Sequence, residues 1–391
     1  MRSLSTIVAA IAAVVSSRAD AEVVRLANGL VVVLAPDPTA GSVVVHVRYA
    51  GGSDDGPAHL IERALTGGSP HVERGTFAHA LDGLGGWDNA TTAPDHTSVF
   101  EQLPASALPY VLFVEADRMA GTTIGPIASQ ERERADIASE IHAAVWEHAA
   151  TASVDEARAL WRTHFQPRGA IVVVAGAFDA AKARAWIEHD FGWIPSAAAA
   201  PARAAKPVPL AKSTTIAIDV PTTVPRVIAA ARTDVAMSPA ALEVELAARI
   251  LAGSRGSRLY RKLVTTDQVA SDVAMTAWQH TSGGEVAITV DARDRANAPA
   301  IATVIATEVA AVADKGVTAA ELARAKTHAI AELVAALEDL SFRADILAAW
   351  TAEGVADLAA ARAKIDAVTA DGVRDSAKRW LAHVVTATVS P

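Results

Sequence analysis

The chain has 391 residues, 51% hydrophobic and 20% charged, with a net charge of -9 at neutral pH and no cysteine. That length exceeds one ordinary core and suits about two domains of roughly 150–200 residues. The apolar content excludes a disordered chain, the dispersed charge without any Lys/Arg run excludes nucleic acid as a partner, and the missing cysteine excludes disulfides and thiol-linked lipids.

Arg2, the apolar run Leu4 to Val15 and the small-residue site Ala19-Asp20-Ala21 read as an export signal over residues 1–21. The mature chain is then expected to start near Glu22, in a secreted or periplasmic setting. No later uninterrupted apolar run reaches the ~18–20 residues that cross a bilayer, so no membrane span is expected.

Asn28-Gly29 between two apolar runs predicts a hairpin whose turn residues both take positive φ. Val43 to Tyr49 reads as a strand, Gly51 to Asp55 as a loop, and Pro57 to Leu65 as a helix stopping at Gly67-Gly68. Helix over Thr76 to Leu84, strand over Thr97 to Leu103, helices over Ala107 to Ala120 and Glu131 to Glu147, and a buried strand over Ala170 to Ala175 complete the first half. Residues 196–209 are Ala/Pro-rich and unpatterned, which marks a linker between domains 22–195 and 210–391. The second half repeats the rhythm: strands at Thr214 to Val220 and Arg226 to Ala231, a helix at Pro239 to Leu251, then strands at Val273 to Trp278 and Glu285 to Val290. Helices follow at Ala298 to Ala313, Thr318 to Leu337, Phe342 to Trp350 and Ala370 to Leu381. The expected fold class is α+β: two similar domains, each a mostly antiparallel sheet with helices packed on one face.

His59, Glu62 and Arg63 fall at i, i+3 and i+4 of the first helix and therefore share a face. By itself that pattern also describes a solvated charged face. The surroundings add to it. Leu26-Ala27-Asn28-Gly29-Leu30, Gly51-Gly52-Ser53 and His59-x-x-Glu62-Arg63 resemble the start of an insulinase/pitrilysin zinc metallopeptidase domain, whose inverted motif is H-x-x-E-H. Gly85-Gly86-Trp87-Asp88-Asn89-Ala90-Thr91-Thr92 and Glu115-Ala116-Asp117-Arg118-Met119 are similar to later segments of that family. So are Asp190-Phe191-Gly192-Trp193 and Ser257-Arg258-Leu259-Tyr260.

The resemblance implies that His59 and Glu140 occupy zinc-ligand positions, Glu133 a supporting-carboxylate position and Glu62 the position of the general base. Arg63 stands where the second histidine belongs. A guanidinium has no lone pair to give and keeps its charge, so it is expected to fill the metal's place and pair with Glu140, Glu133 or Glu62. His71, His79 and His142 are weak substitutes for the missing ligand. The family's substrate-carbonyl Arg/Tyr pair falls here on Val264 and Ser271, and the stretch between Glu140 and Phe165 is short. Asn89, Ala90 and Thr91 match the family's edge strand, to which an extended peptide adds by main-chain hydrogen bonds. The expectation is a non-catalytic subunit without a cofactor, forming a peptide chamber with an active family subunit as a heterodimer, or with its own copy as a homodimer. The alternatives are an active zinc peptidase with an atypical ligand set, and a peptide-binding scaffold.

Overall fold

Val43 to Tyr49 contains four valines, and β-branched side chains fit a pleated surface closed on both faces. In the computed structural model this segment is β3 (Val43–Tyr49), buried throughout, at the centre of a six-stranded sheet. The structure describes residues 21–122, 124, 141, 144–145, 153–196, 207–218 and 222–389. Residues 1–20 of the expected export signal and most of the Ala/Pro-rich segment lie outside that range. Contacts divide the chain into two units, the first formed by residues 1–132, 150–202 and 332–360, the second by residues 133–149, 203–331 and 361–391.

The first unit orders its strands β1 (Glu22–Arg25), β2 (Val31–Pro36), β6 (Ala170–Gly176), β3, β5 (Thr97–Leu103) and β4 (Trp87–Thr92). β2 and β6 run parallel and the other neighbours antiparallel. The helices α1 (Ala58–Leu65), α2 (Thr76–Gly83), α3 (Leu108–Ala120), α4 (Val154–His164) and α5 (Ala180–Phe191) accompany this sheet. Their apolar sides join Val43, Val45, Val47 and Tyr49 in one core with Ile61, Leu65, Val111 and Leu112.

The hairpin between β1 and β2 forms, but in a different turn. Leu26 N–H donates to Leu30 O (2.9 Å) and only Gly29 takes positive φ (93°). Asn28 instead uses its side chain: Nδ2 donates to the carbonyls of Phe191 and Ile194 at 2.9 and 3.1 Å, tying the loop to the end of α5. A tertiary anchor thus replaces the left-handed conformation that local sequence favours.

The second unit has the strand order β7 (Thr214–Ile218), β11 (Val385–Val389), β8 (Arg226–Arg232), β10 (Glu285–Ala292) and β9 (Ala270–Trp278). With β1 set aside, the order and every strand direction repeat the first sheet, including the parallel pair β7/β11. The α+β class and the similarity of the two units are therefore observed directly. Around this sheet lie α6 (Pro239–Ala252), α7 (Ala298–Lys315) and α11 (Ala370–Trp380); α8 (Ala319–Glu338), α9 (Leu340–Glu353) and α10 (Leu358–Ala367) complete the helices named here. The helical stretch Arg295–Lys315, which contains α7, is long and apolar enough to cross a membrane by length and composition, with a mean hydropathy of 1.4. Sequence inspection passed over it because Thr303, Thr307 and Glu308 interrupt the apolar run. Here it packs Ile301, Ile305, Val309 and Val312 inward, against β8 and α11.

Each sheet is also covered on its reverse face, by a segment from the other half of the sequence. In the first unit α9 packs on β3 and β6. Its Arg343 donates to Asp37 Oδ2 (3.0 Å) and to Leu337 O (2.7 Å), and both members of the ion pair are buried. In the second unit Ile141 and Val145 join a core with Ile228, Ala230, Ala287, Val385 and Ala387, and Arg232 Nε donates to Val145 O at 2.8 Å.

Candidate functional site

Helix α1 buries Ala58, Ile61, Ala64 and Leu65, which leaves His59, Glu62 and Arg63 on the opposite, partly open face. Its entry is fixed by a close backbone approach. Ser53 N–H donates to Ala93 O (2.9 Å) and Asp54 N–H to Pro94 O (3.0 Å), and a Cβ on Gly52 would lie 2.3 Å from Pro94 O. That loop holds the start of α1 beside the end of β4.

The consequence is a contact that links motif helix and edge strand. Thr92 Oγ1, on the last residue of β4, donates to Glu62 Oε2, and His59 Nδ1 lies 3.5 Å from the same oxygen. Thr97 Oγ1 in turn donates to Gly51 O (2.8 Å), which ties β5 to the same loop. Burial is the largest influence on the Glu62 carboxyl and pushes it up. Hydrogen bonds from His59 and Thr92, with the charges of His59 and Arg63, outweigh it and hold the group below its ordinary value. Glu62 is therefore ionised at neutral pH, in a setting already supplied with positive charge.

This face brings together three of the residues singled out in the sequence, His59, Glu62 and Arg63. Glu133 and Glu140 lie outside the described residues, as do the pairing expected between Arg63 and Glu140 and the histidine at position 142. Asn89, Ala90 and Thr91 lie on β4, the last strand of the sheet order, so one side of β4 has no strand neighbour among the described residues. His71 is a surface residue whose Nδ1 lies 2.6 Å from Asp117 Oδ1, and Ser69 Oγ also donates to Asp117 (2.6 Å). His79 is exposed on α2. Val264 falls in a π-helical run, Tyr260–Thr266, and Ser271 Oγ donates to Asp291 O. Arg258, of the Ser-Arg-Leu-Tyr segment, grips Glu321 with two hydrogen bonds of 2.7 and 2.9 Å and draws that carboxyl down to about 2.

Sequence reasoning did not single out three features. Thr92 is the direct partner of Glu62, and its place as the final threonine of the Gly-Gly-x-x-Asn-Ala-x-Thr segment was the available signal. Under the sheet, Arg118 donates to both Glu101 (3.0 Å) and Glu115, all three fully buried, with the Phe77 ring 4.4 Å from the guanidinium. Glu115 and Arg118 at i, i+3, with Glu101 on the inward phase of a strand, were the visible hints. On the reverse face, His46 stacks on Phe100 (5.7 Å between centroids) and lies 3.0 Å from Ser98 Oγ. Burial pushes its ring down to about 4, so it is neutral at physiological pH.

The donor set on α1 does not suit a zinc ion. Beside His59 the next residue on the face is a cation with five N–H donors and no acceptor, and the carboxylate between them is engaged with Thr92.

Two repeated α+β units with an inverted H-x-x-E segment facing an edge strand define an insulinase-type peptidase scaffold. Residues 32–166 match the model of the insulinase family (peptidase family M16), and residues 151–328 match that of the peptidase M16 inactive domain. The chain belongs to the insulinase (M16) family. It is 32% identical over 130 residues to Protease 3 of Escherichia coli, a match that spans 31% of this chain and only 13% of that much longer protein. A protease from Helicobacter pylori superposes with a TM-score of 0.82 at 19% identity, covering 95% of this chain and 100% of that one. The first half of the periplasmic protease PqqL from Escherichia coli superposes at 0.67 with 15% identity, covering 94% and 91%. At such identities these structures establish the fold.

Proposed function

We propose that this chain is a non-catalytic subunit of an insulinase-type peptidase, exported to a periplasmic or extracellular setting, where it shapes a peptide-binding chamber with a partner that carries the complete motif. The observation that carries the reading is Arg63 on the same face as His59 and Glu62: a fixed cation occupies the position of a metal ligand while the rest of the scaffold is retained. That one side of β4 has no strand neighbour among the described residues supports retained peptide binding, because strand addition uses backbone groups and needs no metal. Ala90 N–H donates to Asn89 Oδ1 (2.8 Å), a local bond that an incoming carbonyl can replace. The export segment in the sequence agrees with the periplasmic setting of the PqqL relative.

Metal content by mass spectrometry tests this directly. The purified native chain is expected to carry far less than one zinc per chain, and Arg63→His, with Glu140 as the family's distal ligand, to take up about one. Stoichiometric zinc in the native chain, with chelator-sensitive cleavage lost in Glu62→Gln, would overturn the proposal in favour of an active enzyme with an atypical ligand set. Affinity capture from the native extract should recover a family member with an intact H-x-x-E-H motif. Recovery of bound peptides without any peptidase would instead favour a peptide-binding scaffold, which the open edge of β4 also allows.

A further inference from the structure

Side chains of β4 alternate between the two faces of the sheet. Thr92 points to the α1 side, where it reaches Glu62, so Ala90 and Asp88 share that side and Trp87, Asn89 and Thr91 share the other. On this other side Trp87 is 44% exposed, although it is the largest residue of the strand. It does not hang free. Its ring stands edge-on to Phe100 (5.8 Å, 88°), and Phe100 lies flat on the buried ring of His46 (12° between planes). Gln102, the cross-strand partner of Trp87, is held from both ends, donating to Ser42 Oγ (2.9 Å) and accepting from Ser341 Oγ (3.2 Å). A stacked aromatic ring is thus presented to solvent on the strand that ends the sheet among the described residues, next to the uncharged side chains of Asn89 and Thr91.

An exposed tryptophan backed by a rigid stack is an arrangement for meeting another apolar group, since its orientation is already fixed before contact. A strand added to β4 would lie about 4.8 Å away and place every second side chain on the Trp87 face. We propose that Trp87, backed by Phe100 and His46, is a specificity-determining shelf that selects an extended peptide with a bulky apolar residue opposite Trp87, while the positions opposite Asn89 and Thr91 take small or polar residues. This rests on the reading of β4 as a peptide-binding edge and adds the class of peptide it takes.

Binding of fluorescein-labelled extended decapeptides to the full-length protein, read by anisotropy, tests it. One peptide carries a single Phe in a Ser/Thr background and its control carries Asn at that position. The native protein should bind the Phe peptide about tenfold more tightly, the difference made by burying one large apolar side chain. Trp87→Ser should reduce that ratio to below about twofold without weakening the Asn peptide, and Trp87→Phe should restore most of it. Circular dichroism confirms that the variants are folded. Equal binding of both peptides by the native protein, or a Phe preference unchanged in Trp87→Ser, overturns the shelf and leaves strand addition standing. Binding of neither peptide overturns strand addition on β4, and the shelf with it.

Discussion

Arg118→Met should lower the stability of the first unit by about 3–5 kcal/mol, the usual cost of removing one partner from a buried ionic cluster. Arg118 donates to Glu101 and Glu115, and all three side chains are almost wholly inaccessible to solvent. One guanidinium facing two carboxyl groups leaves a net negative charge in the core unless one carboxyl keeps its proton. The second oxygens of both, Glu101 Oε2 and Glu115 Oε2, have no donor, and a shared proton would satisfy them together. Burial first, and the neighbouring Glu115 second, push the Glu101 carboxyl well above its ordinary value. Removing Arg118 takes away the positive charge that opposes the two carboxyl groups. A thermal scan should show the first transition falling by on the order of 10 °C, and an unchanged midpoint would mean that the cluster is not formed as described.

The upward push on the Glu101 carboxyl has a pH dependence of definite sign. A carboxyl whose folded pKa is raised binds protons more strongly in the folded than in the unfolded state, so its contribution is fully present below about pH 4.3 and lost as pH rises towards the folded value. Glu101→Gln keeps an acceptor for Arg118 and supplies N–H donors for Glu115 without a proton to lose. Denaturant melts should place this variant close to the native protein in acid and at or above it at pH 7–8. A variant that is equally destabilised at every pH would contradict a protonated Glu101.

The second large effect is expected for Arg343→Met on α9, again about 3–5 kcal/mol. Asp37, at the end of β2, receives hydrogen bonds from Thr39 N and Oγ1 (3.0 and 2.6 Å) as well as Arg343 Nη1, and is only 5% exposed. Burial is the largest influence on it and acts upward, but the bonds from Thr39 and Arg343 outweigh burial and hold the carboxyl below its ordinary value. A depressed carboxyl contributes stability above its unfolded pKa of about 3.9 and loses it as pH falls through the folded value. The native protein should therefore lose stability on acidification through that range, and Arg343→Met should lose less, because part of the contribution is already gone. The same substitution loosens α9 from the sheet, which would expose the faces of β3 and β6 beneath it. Faster amide exchange in β3 and β6 in the variant checks this, and exchange confined to α9 itself would argue against it.

Much of the scaffold was legible in the amino-acid order. Thr97 to Leu103 is a strand at the predicted residues, and Ala170–Gly176 extends its prediction by one residue. The second of these is a run of β-branched residues between Gly169 and Gly176, which leaves little choice once both faces are buried. The H-x-x-E-R face followed from helical spacing, since α1 has buried residues at 58, 61, 64 and 65. Several elements were not read. α4, α5 and α10 have patterns weakened by alanine and charge, β11 is only five residues long at the end of the chain, and β4, with Trp87-Asp88-Asn89-Ala90-Thr91-Thr92, has almost no apolar alternation because it is an edge. Its identity as a strand came from its resemblance to the family segment.

What the sequence determined by itself is local: which segments are helix or strand, that the domain type occurs twice, and that a cation replaces a ligand at position 63. Tertiary structure decided the rest. It brought Thr92 to Glu62 across some thirty residues, placed Glu101 against Arg118, and laid Arg343 on Asp37 from the far end of the chain. These are contacts between polar groups whose partners no periodicity announces, because hydrogen bonds and buried charges depend on which faces meet, and that is settled only when the sheets close. The same reason explains why α9, and Ile141 with Val145, cover sheets from the opposite half of the sequence: an apolar face specifies that it must be buried, and not by which segment.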